Sequence, residues 1–256
     1  MANEISLTFG SLALSSTNNI TIGKISIKEN KNVQASKIPQ TDGSIAETAK
    51  RGSLTISVEG DIAGTNVDNL RTNLDALRAG LHNGMQKFTT DDDRYIMAQL
   101  KDFDYSYTHL KISANWRATF IAHFPFFLSE TEHEDERTPT SGVNYDPVLN
   151  NAGNAPCRVK IEITAPGGGI VDNIKIENTT TGSGKSFQYR GTLTQYETLE
   201  IDNRYDTDDF EVLNDSVDDH ANYEGDFITL LPGNNTIKFT GTANTIVKFT
   251  WRDCWY

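Results

Sequence analysis

Residues 65–84 read TNVDNLRTNLDALRAGLHNG, and this stretch decides the fold. Its apolar residues recur at steps of three and four, the spacing of a helix with one buried face; they are Val67, Leu70, Leu74, Leu77 and Leu81. Thr65 is expected to cap the helix, and Asp68 completes a capping box in the first turn. Gly84 supplies a stop signal. The pattern therefore predicts one amphipathic helix over residues 66–82.

No second segment has this quality, and nearly all of the remaining sequence reads as strand and turn. The clearest strand is predicted between Ser113 and Phe127. Six apolar residues are expected on one face of it: Trp116, Ala118, Phe120, Ala122, Phe124 and Phe126. A lone amphipathic helix must bury its stripe against a sheet. We therefore predict a mainly β chain whose N-terminal domain is a β-sandwich or barrel with one packed α-helix.

The alternation of apolar and polar residues fails between Asn30 and Arg51. This stretch contains Pro39 and has isolated apolar points at Ile38 and Ile45. Loops of this length in compact domains are usually functional or disordered. We interpret residues 30–51 as a long arm loop.

A charged segment and a change of pattern divide the chain. Residues 129–138 are almost entirely charged or polar and precede Pro139, so we interpret them as a linker. After about Asn150, short alternating runs follow one another at a spacing typical of an antiparallel sandwich or jelly roll. The predicted domains are residues 1–145 and 146–256.

Charge and cysteine content exclude several classes of protein. The 256-residue chain has a formal net charge of −12, whereas tight binding to nucleic-acid phosphates or anionic membranes needs a basic face. No apolar run could span a membrane, and the N-terminal MANEI is no signal peptide, so we expect synthesis in a cytoplasm and no membrane insertion. Cys157 and Cys254 fit neither a disulfide framework nor a zinc pattern. They could be neighbours in space, and we expect two reduced thiols.

Three motifs suggest chemistry, and each has a plainer interpretation. The GSGKS run at residues 182–186 resembles a phosphate-binding loop, but Thr179 stands where that motif needs glycine, so a hairpin turn is favoured. The acidic runs at residues 133–136 and 202–211 lack the spacing of a calcium loop, so solvated segments are favoured. The aromatic end at residues 249–256 suits either sugar stacking or a last core strand. We predict no catalytic, cofactor-binding or metal-binding residues, and therefore a structural or docking protein rather than an enzyme.

The order of several segments resembles that of phage distal tail proteins. In the first half these segments are RGSLTISVEGDIAG at residues 51–64, the helix, DDRY at residues 92–95 and WRATFIAHFPFF at residues 116–127. In the second half they are NAGNAP at residues 151–156, LEID at residues 199–202, LPGNNTI at residues 231–237 and WRDCWY at residues 251–256. The series covers most of the chain in the right order.

The resemblance implies a structural virion protein, made in the host cytoplasm, that forms a hub at the tail tip. Six copies would close a ring through the first domain, with the tail-tube protein on one face and the tail-tip or baseplate hub protein on the other. DNA would pass through the channel without specific binding. The second domain would be a galectin-like antiparallel β-sandwich. Residues 30–51 would form an arm that laps over a neighbouring copy, with Ile38, Pro39 and Ile45 as candidate interface residues.

Two other functions stay open at this point. One is a related tail-tube or baseplate ring protein, which shares the first-domain architecture. The other is a carbohydrate-binding module that acts through the C-terminal sandwich. No cofactor is expected in any of these cases.

Overall fold

The computed structural model describes residues 7–32, 35–37, 44–46, 50–89, 93–108, 112–139, 143–145, 147–180, 182–206 and 210–256. The chain forms two compact units, Met1–Pro125 and Phe126–Tyr256. The division lies earlier than the predicted boundary between residues 145 and 146. The reason is that strands at residues 127–145 pair with later strands of the second unit.

The first unit is one antiparallel sheet with a single helix. Its elements are β1 (Leu7–Phe9), β2 (Leu12–Leu14), β3 (Ile20–Asn32), β4 (Ala35–Lys37), β5 (Ser44–Ala46), β6 (Lys50–Ala63), α1 (Val67–Leu81), β7 (Met85–Thr89), β8 (Arg94–Tyr107) and β9 (Ser113–Ala122). The strand order across the sheet is β2-β1-β7-β8-β9-β6-β3, and β4 pairs with β5. The long strands β3, β6, β8 and β9 lie side by side, so they form the largest continuous surface of this unit.

Helix α1 matches the predicted span to within one residue at each end, but its cap differs. Asn66 caps the helix, because its side-chain oxygen accepts a hydrogen bond of 2.8 Å from the backbone N–H of Asn69. Thr65, the predicted cap, instead donates its backbone N–H to the Asn69 side chain. Four of the five predicted stripe residues are buried, namely Leu70, Leu74, Leu77 and Leu81. Val67 is exposed because it opens the first turn.

The core of the first unit lies on one face of the sheet, against α1. Strand β9 alternates buried and accessible residues as predicted, and Phe120 packs its ring 4.8 Å from that of Phe9 and 5.2 Å from that of Phe88. The prediction that this face continues to Phe124 and Phe126 is wrong, because β9 ends at Ala122. Pro125 follows, and proline offers no N–H to a ladder.

Much of the predicted arm loop is strand. The ladder between β3 and β6 runs from the Ile20–Ile62 pair to the Asn32–Lys50 pair, and β4 pairs with β5 beyond it. The sequence pattern fails here because the side chains from Ser26 to Asn30 are exposed, so no face needs apolar residues. The described ends of the predicted arm, up to Asn32 and from Lys50, therefore belong to a long antiparallel hairpin.

The second unit is a sandwich of two antiparallel sheets. Its strands are β10 (Phe127–Ser129), β11 (His133–Arg137), β12 (Val143–Tyr145), β13 (Val148–Asn151), β14 (Cys157–Thr164), β15 (Ile174–Asn178), β16 (Ser186–Tyr189), β17 (Thr198–Asp202), β18 (Glu211–Asn214), β19 (Val217–Asp218), β20 (Tyr223–Gly225), β21 (Thr229–Leu230), β22 (Gly233–Thr240), β23 (Ile246–Trp251) and β24 (Cys254–Trp255). One sheet has the order β11-β23-β14-β17-β18-β19, with β21 beside β14. The other has the order β12-β22-β15-β16-β20, with β13 beside β22, and β10 pairs with β24.

The predicted linker at residues 129–138 is wrong. Residues His133–Arg137 form β11, which pairs with β23 along its whole length. The run is charged because β11 is an edge strand, and edge strands carry charges that prevent unwanted pairing. Glu134 is exposed and lies 3.0 Å from the Lys248 ammonium on β23. The predicted fold class, mainly β with one helix followed by an antiparallel sandwich, is confirmed.

Candidate functional site

The predicted arm residues are only partly within the described structure. Ile38 and Pro39 lie outside the described residues. Ile45 lies on β5, where its backbone is opposite that of Ser36. The assignment of these three residues to an interface stays a prediction.

The root of the arm is held by polar contacts between β3 and β6. Arg51 lies 3.5 Å from the Glu29 carboxylate, and the Asn30 amide donates to the Thr55 hydroxyl over 3.3 Å. Gly52 faces this ladder, and a Cβ on it would come 3.0 Å from the Asn30 carbonyl oxygen. These contacts are on the surface, so they orient the arm and contribute little to stability.

A groove of about 440 Å³ crosses the four long strands of the first unit. Charged residues of both signs line it, with Lys24, Glu59, Arg117 and Asp104 in one row across β3, β6, β9 and β8. Arg117 lies 3.5 Å from the Glu59 carboxylate. Such an open, paired surface suits recognition of another polar surface better than chemistry on a bound substrate.

Aromatic rings extend along β8 beside this groove, and Tyr105 and Trp116 are among the residues that line it. Phe103 stacks near Trp116, and Tyr105 meets Tyr107 edge to face at 5.6 Å. Both tyrosines are exposed, as is Ile27 on β3. The indole N–H of Trp116 is buried and has no hydrogen-bond partner among the described residues. One buried hydrogen-bond donor in this part of the first unit, the Trp116 indole N–H, therefore has no acceptor among the described residues of the single chain.

Buried asparagines organise the connections of the second unit. The Asn151 amide donates to the Ala155 carbonyl over 2.8 Å, and its oxygen accepts from the Gly153 N–H over 3.0 Å. A Cβ on Gly153 would come 1.8 Å from the Cys254 carbonyl oxygen, so only glycine fits. Asn178 and Asn235 bond to each other at 3.0 Å and to neighbouring carbonyl groups. These side chains replace backbone partners that the turns cannot supply.

A network of charges joins separate segments of the second unit. The Arg204 guanidinium contacts both carboxylate oxygens of Asp202 and lies 3.2 Å from Glu132. Arg252 lies 3.0 Å from the same Glu132 and 3.3 Å from Asp206. Each of the three acids contacts an arginine, and Glu132 contacts both arginines, so the network holds separate chain segments together.

The two cysteines are neighbours, as their positions in the sequence suggested. Both are buried free thiols, and the Cys254 Sγ lies 3.6 Å from the Arg252 carbonyl oxygen. Burial raises the pKa of the Cys157 thiol well above its usual range, and Cys254 and Asp253 add to this effect. A buried thiol with a raised pKa is a poor nucleophile, so Cys157 is not suited to nucleophilic attack.

The solvated interpretation of the acidic run at residues 202–211 is wrong at Asp202, which is buried and paired with Arg204. The phosphate-loop-like run and the aromatic end take their plainer interpretations. The segment containing residues 182–186 connects β15 and β16, which pair as a hairpin. The aromatic end contributes core residues, since Phe249 and Trp251 are buried. Within the described ranges, no three His, Cys, Asp or Glu side chains come together in a way that could hold a metal ion. No helix among the described residues is long and apolar enough to cross a membrane.

The sequence did not predict the groove or the exposed aromatic side chains of the first unit. The groove residues come from four strands separated by long stretches of sequence, so their spacing carries no signal. The alternating aromatics of β8 were visible in the sequence, but strand alternation does not tell whether a face is covered.

Comparison with known proteins finds a family model that matches part of the chain. Residues 152–255 match the family described as siphovirus-type tail component, C-terminal domain. This match confirms the resemblance to phage distal tail proteins. No curated protein matches the chain.

Solved structures share the fold of the whole chain. The SPP1 Dit (gp 19.1) protein, described as a paradigm of the hub adsorption apparatus in phages that infect Gram-positive bacteria, has a TM-score of 0.72 at 12% identity. The alignment covers 98% of this chain and 99% of that protein. A protein of the phage p2 baseplate in its activated conformation with Sr has a TM-score of 0.53 at 11% identity, with 96% and 97% covered. At these identities the likeness establishes a shared fold.

Proposed function

We propose that this chain is a distal tail hub protein, a structural component of the tail tip of a phage or related tail-like particle. The observation that carries the proposal is that both units, in the same order, align with almost the full length of the SPP1 Dit protein. The family match over the second unit supports it independently of the fold comparison. We propose no catalytic activity, because the side chains described above are arranged for packing and pairing.

We further propose that six copies form a ring through the first unit. In a ring, one surface of each copy contacts a different surface of the next copy. Each copy therefore needs two surfaces that fit each other. The first unit offers an edge strand, β3, which among the described residues pairs only with β6, and a separate exposed aromatic row on β8. A neighbour could also supply an acceptor for the Trp116 indole N–H.

The proposed ring would join the tail-tube protein on one face to the tail-tip hub protein on the other. The arm at residues 30–51 would lap over a neighbouring copy. Lys24 and Lys28 lie exposed on the edge strand, and lysine on an edge hinders unspecific pairing. DNA would pass through the ring channel without sequence-specific contacts.

The carbohydrate-binding alternative loses its strongest support in this fold. Phe249 and Trp251, which suggested a stacking platform, are buried in the core of the sandwich. A tail-tube or baseplate ring protein differs from the proposed hub mainly in the second unit, and that unit here matches a tail-component family.

The first experiment tests location. Tails purified from the source particle are labelled with an antibody raised against this chain and imaged by electron microscopy. We expect label at the tip only, with six copies per tail by quantitative mass spectrometry. Absence of the chain from tails, or label along the whole tube, would rule out the hub.

The second experiment tests the arm. A chain that lacks residues 38–46 is expected to keep the circular dichroism spectrum and melting temperature of the full chain, because the β3–β6 ladder remains, while tail assembly falls. The matched control replaces the same residues with a Gly-Ser linker of equal length, which preserves the spacing and removes Ile38, Pro39 and Ile45. Normal tail yield with both variants would exclude the arm as an interface.

A further inference from the structure

Four connecting segments meet at one end of the second unit. They are residues 165–173, 194–198, 214–217 and 241–246, which we call the loop end. The Tyr196 N–H donates to the Ala165 carbonyl over 3.2 Å, and the Asp215 N–H donates to the Thr198 carbonyl over 2.9 Å. The Thr242 hydroxyl donates to the Ile170 carbonyl over 3.2 Å. These bonds join all four segments into one surface.

The loop end carries the most exposed large apolar side chains of the described residues. Tyr196 is 69% exposed, Val217 is 67% exposed and Ile170 is 62% exposed. Ile246, at the start of β23, is a fourth exposed apolar side chain, with 36% of its surface exposed. Single exposed apolar residues are ordinary, but a group of them on adjoining turns indicates an interaction surface.

The turns that carry these side chains are held in unusual backbone conformations. Five of the seven non-glycine residues with positive φ among the described residues lie here: Asn173, Tyr196, Asp215, Ser216 and Asn244. Tyr196, at φ 66°, is the notable case, because bulky residues avoid this region. The surface is therefore preformed, so little conformational entropy is lost when a partner binds.

The charge of the loop end indicates the chemistry of its partner. The four segments contain three carboxylates, Asp172, Glu197 and Asp215, and no lysine or arginine. The Glu197 carboxylate accepts the Thr194 backbone N–H over 2.7 Å, and no basic side chain of the four segments neutralises the three acids. A second copy would bring the same acidic rim and repel it, whereas a basic rim would complement it.

We propose that the loop end docks a different protein of the same particle, through an apolar socket rimmed by lysine or arginine. The proposal rests on the proposed function only in placing the partner within the particle. It differs from the ring contacts, which use the first unit. The apolar side chains supply the buried contact, and the acidic rim selects the partner.

Hydrogen exchange tests the proposal in three samples: the isolated chain, its own oligomer and intact tails. We expect exchange in residues 165–173 and 194–198 to slow about tenfold in tails only. Slowing already in the chain's own oligomer would assign the surface to a second copy and overturn the proposal. Equal exchange in all three would also overturn it. Absence of the chain from tails would instead contradict the proposed function.

A double variant, Tyr196→Asn with Ile170→Thr, removes the apolar contact without straining the turns, because asparagine tolerates positive φ. Its melting temperature is expected to match that of the parent, since both side chains face solvent. Loss of protection in tails, or exclusion from tails despite normal oligomer formation, supports the proposal. Unchanged protection in tails contradicts it. Val148→Thr, at a site 56% exposed elsewhere in the unit, is the matched control and should change nothing.

Discussion

The two units cover an antiparallel sheet in different ways. The first unit uses one helix with a leucine stripe, and the second uses another sheet. Every buried polar or charged side chain in the described part of the chain lies in the second unit; they are Ser129, Asn151, Asn178, Asp202, Asn203, Asn235, Thr245, Thr250 and Asp253. The second unit thus builds polar side chains into its interior, where Asn151, Asn178 and Asn235 bond to its connections. The first unit relies on apolar packing and leaves the edge strand β3 and the side chains of Tyr105 and Tyr107 exposed.

The difference shows how stability and association can be divided within one chain. A sandwich with bonded loops can present a fixed surface, because its turns do not need a partner to order them. An open sheet with an accessible edge gains most of its remaining contacts when copies assemble. The following predictions test whether stability and association are divided between the two units in this way.

The largest effect is expected from Leu74→Ala in α1. Leu74 is buried, and truncation of a buried leucine costs about 2–5 kcal/mol. The loss should appear as a lower unfolding midpoint in denaturant and as faster hydrogen exchange confined to the first unit. Equal acceleration in the second unit would show that the two units unfold together. Ala76→Gly, on the exposed side of the same helix, is the control and should cost no more than about 1 kcal/mol.

Asn151→Ala should destabilise the second unit by about 1–3 kcal/mol. The change leaves the Gly153 N–H and the Ala155 carbonyl without their side-chain partner in a buried site. The measurement is the free energy of unfolding from urea titration, followed by signals of the second unit. Asn150→Ala is the matched control, since the neighbouring Asn150 makes its side-chain bond at the surface and should change stability little. Equal losses in both variants would contradict the role assigned to buried asparagine.

Alkaline pH should destabilise the second unit selectively. Burial raises the pKa of Cys157, Tyr189 and Tyr223 above their usual values and that of Tyr205 to about 12. In the unfolded chain these groups lose their protons first, so the free energy of unfolding falls as pH rises above the ordinary cysteine and tyrosine values. For Cys157 alone the slope is about 1.4 kcal/mol per pH unit above about pH 8.5.

The control for this prediction is Cys157→Ala, which should flatten the stability profile between about pH 8.5 and 10, before tyrosines titrate. Urea titrations across that range provide the measurement. A parent profile that stays flat to about pH 11 would show that these groups are not desolvated.

The smallest effect is expected at the start of α1. Asn66→Ala should cost about 1 kcal/mol, because it removes the acceptor for the Asn69 N–H. Thr65→Ala, at the residue that the sequence favoured as the cap, should cost less than about 0.5 kcal/mol. If Thr65→Ala lowered the melting temperature more than Asn66→Ala, Thr65 would be the helix cap, as the sequence predicted.

The sequence was most informative where a face is buried. The leucine stripe of α1 and the alternation of β9 were readable because burial imposes a period on apolar residues. The sequence was least informative where no face is buried. Strand β11 was predicted as a linker because exposed edge strands are rich in charged residues. The outer ends of β3 and β6 were predicted as a loop for the same reason.

Contacts between distant segments were also beyond the sequence. The pairing of Asn178 with Asn235, and the arrangement of the loop end, depend on which turns the sandwich brings together. The positions of the two cysteines suggested that they are neighbours, but only the strand pairing explains why they meet. The choice of Asn66 over Thr65 turned on a one-residue shift of the helix start, which propensities do not resolve.

The first and last strands of the second unit are partners: Phe127 lies opposite Trp255, and Leu128 lies opposite Cys254. Both strands must exist before that ladder can form, so it cannot form until residue 255 has been added to the chain. The first unit ends at Pro125, so it can fold earlier during translation. Synthesis therefore sets an order in time, in which the first unit can be complete before this ladder forms.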